Sequence, residues 1–140
     1  MKRIATIVLC LAVALCAFTG CGSIKTVGKN DTVPTANKED AKTVIGSGSK
    51  SFIWEYIDEN GEICGSYIIK TNYPTVGSAL STYKLAEFTV DEKGNETITI
   101  SNVPTPQGKE WKFYSEGIAS PTSPSDTQIY DGYVYTFAAK

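Results

Sequence analysis

Cysteine and histidine carry much of the nucleophilic and metal chemistry of proteins, and their counts restrict what this chain can do. It has 140 residues, four cysteines and no histidine. The absence of histidine excludes Ser-His-Asp and Cys-His catalysis and any zinc site with a histidine ligand. Cys10 and Cys16 lie in an apolar run at the N-terminus, so Cys21 and Cys64 are the thiols that need an explanation.

Two other patterns have the spacing of chemical sites but lack the residues that would complete them. The segments 47–50 and 81–84 match S-x-x-K, which places a serine nucleophile beside a lysine in penicillin-binding proteins, but no S-D-N or K-T-G occurs. The acidic stretches 58–62 and 91–96 lack the ligand spacing of a twelve-residue calcium loop. We therefore expect no catalytic residue, no metal site and no cofactor, and the chain is predicted not to be an enzyme.

The N-terminus has the organisation of a secretory signal. Lys2 and Arg3 precede an uninterrupted run from Ile4 to Phe18 without a charged residue. This arrangement is typical of the charged and apolar regions of a signal peptide. The run is shorter than the roughly 18 to 20 apolar residues that span a bilayer as a helix. We predict that residues 1–20 are a signal peptide that is removed.

The residues that follow the apolar run explain the third cysteine. The sequence Phe18-Thr19-Gly20-Cys21 resembles the lipobox of bacterial lipoproteins, in which small residues precede a cysteine that is lipidated and becomes the new N-terminus. Because two or more acyl chains anchor a protein stably, whereas one binds reversibly, a diacylglyceryl group on Cys21 implies a lasting membrane attachment. The expected location is the extracytoplasmic face of the bacterial cell membrane.

Charge and composition narrow the partners. Removal of residues 1–20 takes away Lys2 and Arg3 and leaves 11 basic against 15 acidic residues, a net charge of −4. This balance argues against nucleic-acid binding, which depends on a basic surface. Cys64 has no partner for an internal disulfide, and its place in a strand-like run predicts that it is buried.

Patterning divides the remainder into a linker and one domain. Residues 21–50 are small, polar and charged and end in "GSGS", so we expect the lipidated cysteine to be followed by a flexible linker. Residues 51–140 contain alternating apolar and polar runs separated by turn sequences. The predicted order is β-β-α-β-β-β-β, with hairpin turns at "DENGE" and "DEKGN" and a short helix that begins after an N-cap at Thr75.

This order predicts an α+β domain in which one short helix packs on one face of a mostly antiparallel, β-grasp-like sheet. The "DENGE" hairpin, the helix entry "TVGSAL", the strand "EWKFYSEG" and the closing "IYDGYVYTF" also resemble a group of uncharacterised bacterial surface domains. Those domains are similar to the C-terminal domain of transcobalamin. The resemblance covers residues 51–140 and implies a β-grasp-like fold at a cell surface. It also implies a corrinoid as one candidate ligand.

Aromatic residues suggest where a ligand would bind. Trp54 and Tyr56 alternate with Ile53 and Ile57, so the pleat sends the two pairs to opposite faces of the sheet. We expect the isoleucines to pack on Val76, Leu80 and Tyr83 of the helix. In that arrangement Trp54 and Tyr56 join Tyr133 and Tyr135 on the face without a helix, as a candidate binding surface. The competing explanation is a second small core formed by the same aromatic residues.

Two functions remain open from the sequence. One is a membrane-anchored surface lipoprotein whose single non-catalytic module binds a ligand such as a corrinoid or a glycan. The alternative is a structural or accessory lipoprotein that docks on another cell-surface protein.

Overall fold

A long antiparallel hairpin forms the centre of the fold. The computed structural model describes residues 32–35, 41 and 43–140. Within it, β2 (Lys50–Ile57) pairs with β3 (Ile63–Thr71). At the turn, Asp58 Oδ1 accepts hydrogen bonds of 2.9 Å from the backbone N–H groups of both Asn60 and Glu62. Gly61 has a φ of 82°, which glycine adopts without a steric penalty. The hairpin predicted around "DENGE" is therefore confirmed.

The single α-helix of the described residues, α1 (Val76–Thr82), lies where the sequence predicts it. Thr75 is the N-cap, and its hydroxyl accepts a hydrogen bond of 3.1 Å from the backbone N–H of Ser78. The Ser78 hydroxyl lies 3.2 Å from the backbone nitrogen of Thr75 and completes a capping box. Together these contacts satisfy two N–H groups that the first turn leaves without partners.

A second hairpin follows the helix but belongs to a different sheet. β4 (Ala86–Val90) and β5 (Glu96–Ile100) pair only with each other among the described residues. Their turn repeats the device of the first hairpin, because Asp91 Oδ1 accepts hydrogen bonds from the backbone of Lys93 and of Asn95. The predicted hairpin is confirmed, although it does not extend the main sheet.

The rest of the chain completes the main sheet. β6 (Trp111–Ser115) is followed by the short β7 (Ile118–Ala119), a 3₁₀ turn at Pro124–Asp126 and the last strand, β8 (Val134–Ala139). With Thr43–Gly46 as β1, the strand order is β1-β3-β2-β8-β6-β7, and three of the five pairings are antiparallel. The last strand, β8, lies beside β2 and runs parallel to it. The coarse prediction of a strand-rich mixed α/β fold with one short helix is also confirmed.

The boundary predicted between linker and domain at Ser51 needs correction. Thr43–Gly46 forms the edge strand β1, which pairs in parallel with β3, and β2 begins at Lys50. Ala41 and Val33 are also buried, at 4% and 9% exposure. Although the stretch is polar and rich in glycine, β1 contains three β-branched residues that suit a strand, Thr43, Val44 and Ile45. The predicted signal peptide and the predicted lipidation site Cys21 lie outside the described residues.

The main core lies between the sheet and a layer made of α1 and the β4–β5 hairpin. Phe52 and Trp54 of β2 share this core with Leu80 of α1 and Ile98 of β5. Ile53 and Ile57 lie on the opposite face, in two smaller clusters with Ala41 and Val134 and with Val33 and Tyr114. The predicted alternation along β2 is correct, but the assignment of its faces was wrong. Because the aromatic side chains have the larger apolar surface, their burial under the helix and hairpin removes more of it from water.

Candidate functional site: a cleft beside the second hairpin

The four aromatic residues predicted as a binding surface are not together on one. Trp54 is 2% exposed and Tyr135 is fully buried, whereas Tyr133 is 40% exposed. Tyr56 is half-buried and packs against the main core. The prediction of an aromatic surface on the helix-free face is therefore wrong. The competing explanation, a core role, fits Trp54 and Tyr135, although they belong to the main core under the helix rather than to a second one.

Trp54 is the centre of an aromatic cluster within the main core. Its ring stacks on Tyr67 with centroids 5.7 Å apart and contacts Tyr56 at 5.8 Å and Phe137 edge-on at 5.8 Å. Partial burial, followed by the proximity of Tyr67, raises the pKa of Tyr56 above its usual value of 10.0. These contacts give Trp54 and Tyr56 a packing role that explains their place in the sequence.

Tyr135 positions the loop that leads into β8. Its hydroxyl donates a hydrogen bond of 3.1 Å to the carbonyl of Gln128 and accepts one of 3.1 Å from the backbone N–H of Tyr130. Burial raises the pKa of Tyr135 above its usual value of 10.0. On the surface of this loop, the rings of Tyr130 and Tyr133 lie 5.2 Å apart. Tyr133 is thus the member of the predicted set whose ring is open to a partner.

A cleft of about 700 Å³ lies where the sequence indicated no site. It is bounded by β5 on one side, by the start of β6, and by the segment 120–124 that leads into the 3₁₀ turn. Its lining mixes a few buried apolar side chains with many hydroxyl groups and charges. The lining includes Glu96, Ile98, Thr99, Thr105, Trp111 and Phe113.

Buried apolar side chains line part of the cleft, while polar contacts fix the segments around it. Ile98, Trp111 and Phe113 are 7%, 6% and 8% exposed. The Trp111 indole Nε1 donates a hydrogen bond of 3.1 Å to Thr105 Oγ1, which ties the 101–110 loop to β6. The Ser125 hydroxyl donates one of 2.7 Å to Glu96 Oε1, which joins the 3₁₀ turn to β5. A volume of this size falls in the range of ligand sites.

Several charged side chains in and near the cleft make specific electrostatic contacts. Lys112 Nζ lies 2.9 Å from Glu110 Oε2, and this contact lowers the pKa of Glu110 below its usual 4.5. Across the described residues, no group of three or more histidine, cysteine, aspartate or glutamate side chains could hold a metal ion. The turn residues Asp58 and Asp91 use their oxygens for backbone N–H groups, which lower the pKa of both carboxyls below 3.8. The cleft therefore offers hydroxyl and charged side chains as hydrogen-bond partners.

The single described cysteine, Cys64, differs from its predicted environment. Cys64 is exposed, so the prediction that it is buried was wrong, and its Sγ lies 3.5 Å from the Glu62 carbonyl oxygen. The strand was predicted correctly, but the residue lies beside the hairpin turn, where the main core does not reach.

None of the helices in the described part of the chain has the length and apolar character needed to cross a membrane.

Sequence reasoning missed the cleft because its walls are far apart in the chain. Residues 96–100 and 111–115 were recognised as strands and 120–126 as a loop, but no local pattern brings them together. The "SPTSPSD" segment carries the strongest available signal, since a loop with two prolines and several hydroxyl groups is pre-formed and polar. That signal marks a rigid loop without indicating what it faces.

Comparison with known proteins supports the fold. No protein-family profile matches the chain, and no curated protein sequence is significantly similar to it. A crystal structure from Ruminococcus gnavus ATCC 29149, named "a putative metal binding protein", is similar with a TM-score of 0.57 at 19% identity. The match covers 66% of this chain and 97% of the other. At this identity the chain is similar to that protein in fold, and no function follows from the match.

Proposed function

We propose that this chain is a membrane-anchored surface lipoprotein whose folded domain is a non-catalytic binding module with its ligand site in the cleft. The observation that carries the proposal is the cleft of about 700 Å³ between β5, β6 and the 120–124 segment. It combines a buried apolar lining with hydroxyl groups, and the described residues around it contain no metal-binding cluster. These features favour reversible binding over chemical conversion of a ligand.

The anchor proposal rests on sequence. The apolar run, the pair Thr19-Gly20 and the cysteine that follows support lipidation of Cys21 and a location on the extracytoplasmic face of the cell membrane. For the fold, we propose the finer class of a β-grasp-like domain. Its support is the β2–β3 hairpin followed by α1, together with the parallel placement of the last strand β8 beside β2.

Several classes of ligand are candidates for the cleft. The resemblance to transcobalamin-like domains suggests a corrinoid, and the hydroxyl-rich lining would also suit a glycan. The name of the R. gnavus protein suggests a metal, but no cluster of carboxylate and thiol groups supports this within the described residues. The alternative, an accessory lipoprotein that docks on a surface protein, is favoured by the exposed pair Tyr130 and Tyr133, which are 52% and 40% exposed.

Two matched threonines test whether binding depends on the cleft. Thr99 on β5 lines the cleft, whereas Thr89 is an exposed residue of the neighbouring strand outside the lining. A thermal-shift screen of corrinoids, glycans and metal ions should find a ligand whose stabilisation Thr99→Trp abolishes and Thr89→Trp retains. Equal stabilisation in both variants would place the ligand elsewhere and refute the cleft as the site.

The anchor is tested separately. Cys21→Ser should stop incorporation of labelled fatty acid and release the protein from the membrane fraction or leave its precursor unprocessed. Continued labelling of the Cys21→Ser variant would contradict the lipoprotein proposal.

A further inference from the structure

Among the described residues, the register of the second hairpin leaves the outward edge of β5 without hydrogen-bond partners at Glu96 and Ile98, whereas the outward carbonyl of Ile100 accepts a hydrogen bond of 3.3 Å from Val103 N. In an antiparallel pair, hydrogen-bonded residue pairs alternate with pairs whose N–H and C=O groups point away from the partner strand. The bond of 3.0 Å from Ser101 N to the Leu85 carbonyl and that of 2.9 Å from Asp91 N to the Asn95 carbonyl fix this alternation. In the register of β4 with β5, Thr97 and Thr99 then bond to β4.

Glu96 and Ile98 consequently direct their main-chain groups toward the opposite edge, on the side of the cleft. Within the part of the chain that the structure describes, the N–H and C=O groups of both residues have no hydrogen-bond partner. Both residues line the cleft, and Ile98 is 7% exposed. A row of unpaired N–H and C=O groups along a strand edge is a template for pairing, so an edge of this kind favours an added strand.

The start of β6 presents a second, smaller set of free groups to the same cleft. Glu110 and Lys140 exchange two backbone hydrogen bonds of 2.9 Å, so the next residue, Trp111, directs its N–H and C=O away from β8. No partner for these groups occurs among the described residues. Further along β6, the Phe113 carbonyl accepts a hydrogen bond of 3.0 Å from Ser120 N, which closes the edge at that point.

We propose that the cleft binds an extended polypeptide segment of a partner protein, which adds to β5 as a third strand of the β4–β5 sheet. This inference rests on the proposed function and names the ligand class. Main-chain pairing would supply the affinity, as in other cases of β-strand addition. Alternate side chains of the segment would face the apolar lining at Trp111 and Phe113, and the others would lie beside Thr97 and Thr99. The segment should therefore alternate apolar and polar residues.

A short synthetic peptide of alternating valine and threonine, with lysine at both ends, serves as the probe. It is titrated into the isotope-labelled full chain while backbone amide signals and amide hydrogen exchange are recorded. The Glu96 and Ile98 amides should shift, and their exchange should slow by at least about tenfold, because each gains a main-chain acceptor. The control is the same peptide with every backbone nitrogen methylated, which should bind at least about tenfold more weakly because it cannot donate.

A protein variant tests the same edge by removing a backbone donor of β5 instead of the donors of the peptide. Glu96→Pro removes one outward N–H at the first residue of β5, a position where proline is compatible with a strand, and breaks no bond to β4. Because it also removes the carboxylate that accepts a hydrogen bond from the Ser125 hydroxyl, Glu96→Ala, which keeps the backbone N–H, is the matched control. Glu96→Pro should weaken peptide binding relative to Glu96→Ala, while the amide signals away from Glu96 and the 3₁₀ turn stay the same in the two variants. The free edge of β1 is an internal comparison, since Thr43–Gly46 is also an edge strand.

Three results would overturn the inference: no binding of the peptide, equal binding of the methylated peptide, or shifts confined to the amides of β1. The proposed cleft function would survive any of these three results if a small ligand stabilises the parent chain and Thr99→Trp abolishes that stabilisation. In that case only the polypeptide class of ligand would be refuted.

Discussion

Gly77 allows a test in which local helix propensity and tertiary packing predict opposite results. In an isolated helix, replacing an interior glycine with alanine stabilises by about 1 kcal/mol. In this fold Gly77 lies at the point where α1 meets the 3₁₀ turn. A Cβ atom at Gly77 would lie 2.7 Å from Ser125 Cα, 2.8 Å from Ser125 N and 3.0 Å from the Pro124 carbonyl carbon. All three are backbone atoms that cannot move aside by rotation of a side chain.

The magnitude follows from the difference between the two effects. Overpacking of this kind costs about 1 to 3 kcal/mol, against a propensity gain of at most about 1 kcal/mol. We therefore expect Gly77→Ala to lower the free energy of unfolding by about 1 kcal/mol. The displaced 3₁₀ turn should also lengthen the hydrogen bond of 2.7 Å from the Ser125 hydroxyl to Glu96 Oε1, and with it alter the wall of the cleft.

The assay is urea denaturation followed by tryptophan fluorescence, since Trp54 and Trp111 are 2% and 6% exposed and will report loss of the core. Ser81→Ala is the matched control, because Ser81 is an exposed residue of the same helix and has no such contact. That variant should be unchanged or stabilised by about 0.5 kcal/mol. A Gly77→Ala variant as stable as the parent would refute the packing argument.

Three further predictions concern the thiol, the aromatic residues and pH. Because Cys64 is exposed, it should react with a thiol reagent nearly as fast in the folded protein as in denaturant. A modest slowing is expected, since partial burial raises the pKa of its thiol and lowers the fraction of thiolate. Strong protection by folding would contradict its exposure. Trp54→Ala should cost about 3 to 5 kcal/mol of unfolding free energy, and Tyr133→Ala less than about 1 kcal/mol, measured by the same titration. Because backbone N–H groups lower the pKa of Asp58 and Asp91 in the folded state, their stabilisation is present above the usual 3.8 and is lost as pH falls through the lowered values. As pH falls, the free energy of unfolding should therefore decrease less in the double variant Asp58→Asn/Asp91→Asn than in the parent. An equal decrease in both proteins would be evidence against this role.

Features that depend on a few neighbouring residues could be predicted from the sequence. The helix position follows from the Thr75 cap and the apolar spacing after it, and the structure has the N-cap at that residue. Both hairpin turns follow from an aspartate that bonds the N–H groups of its own turn, at Asp58 and at Asp91. The alternation of Trp54 and Ile53 across β2 is likewise a property of the extended backbone.

Features that depend on how distant segments meet required the tertiary structure. Alternation along β2 separates two sets of side chains, but the path of the chain after β3 decides which set the helix covers, and it covers Phe52 and Trp54. The strand at Thr43–Gly46 gains its stability from pairing with β3, more than twenty residues further along the chain, so its own glycine-rich surroundings give little sign of it. The cleft arises for the same reason: residues near 98, 111 and 122 border one space only because the second hairpin crosses the face of the main sheet without joining it. Local sequence patterns report the conformation of a segment, whereas a site formed between segments depends on long-range packing that such patterns do not encode.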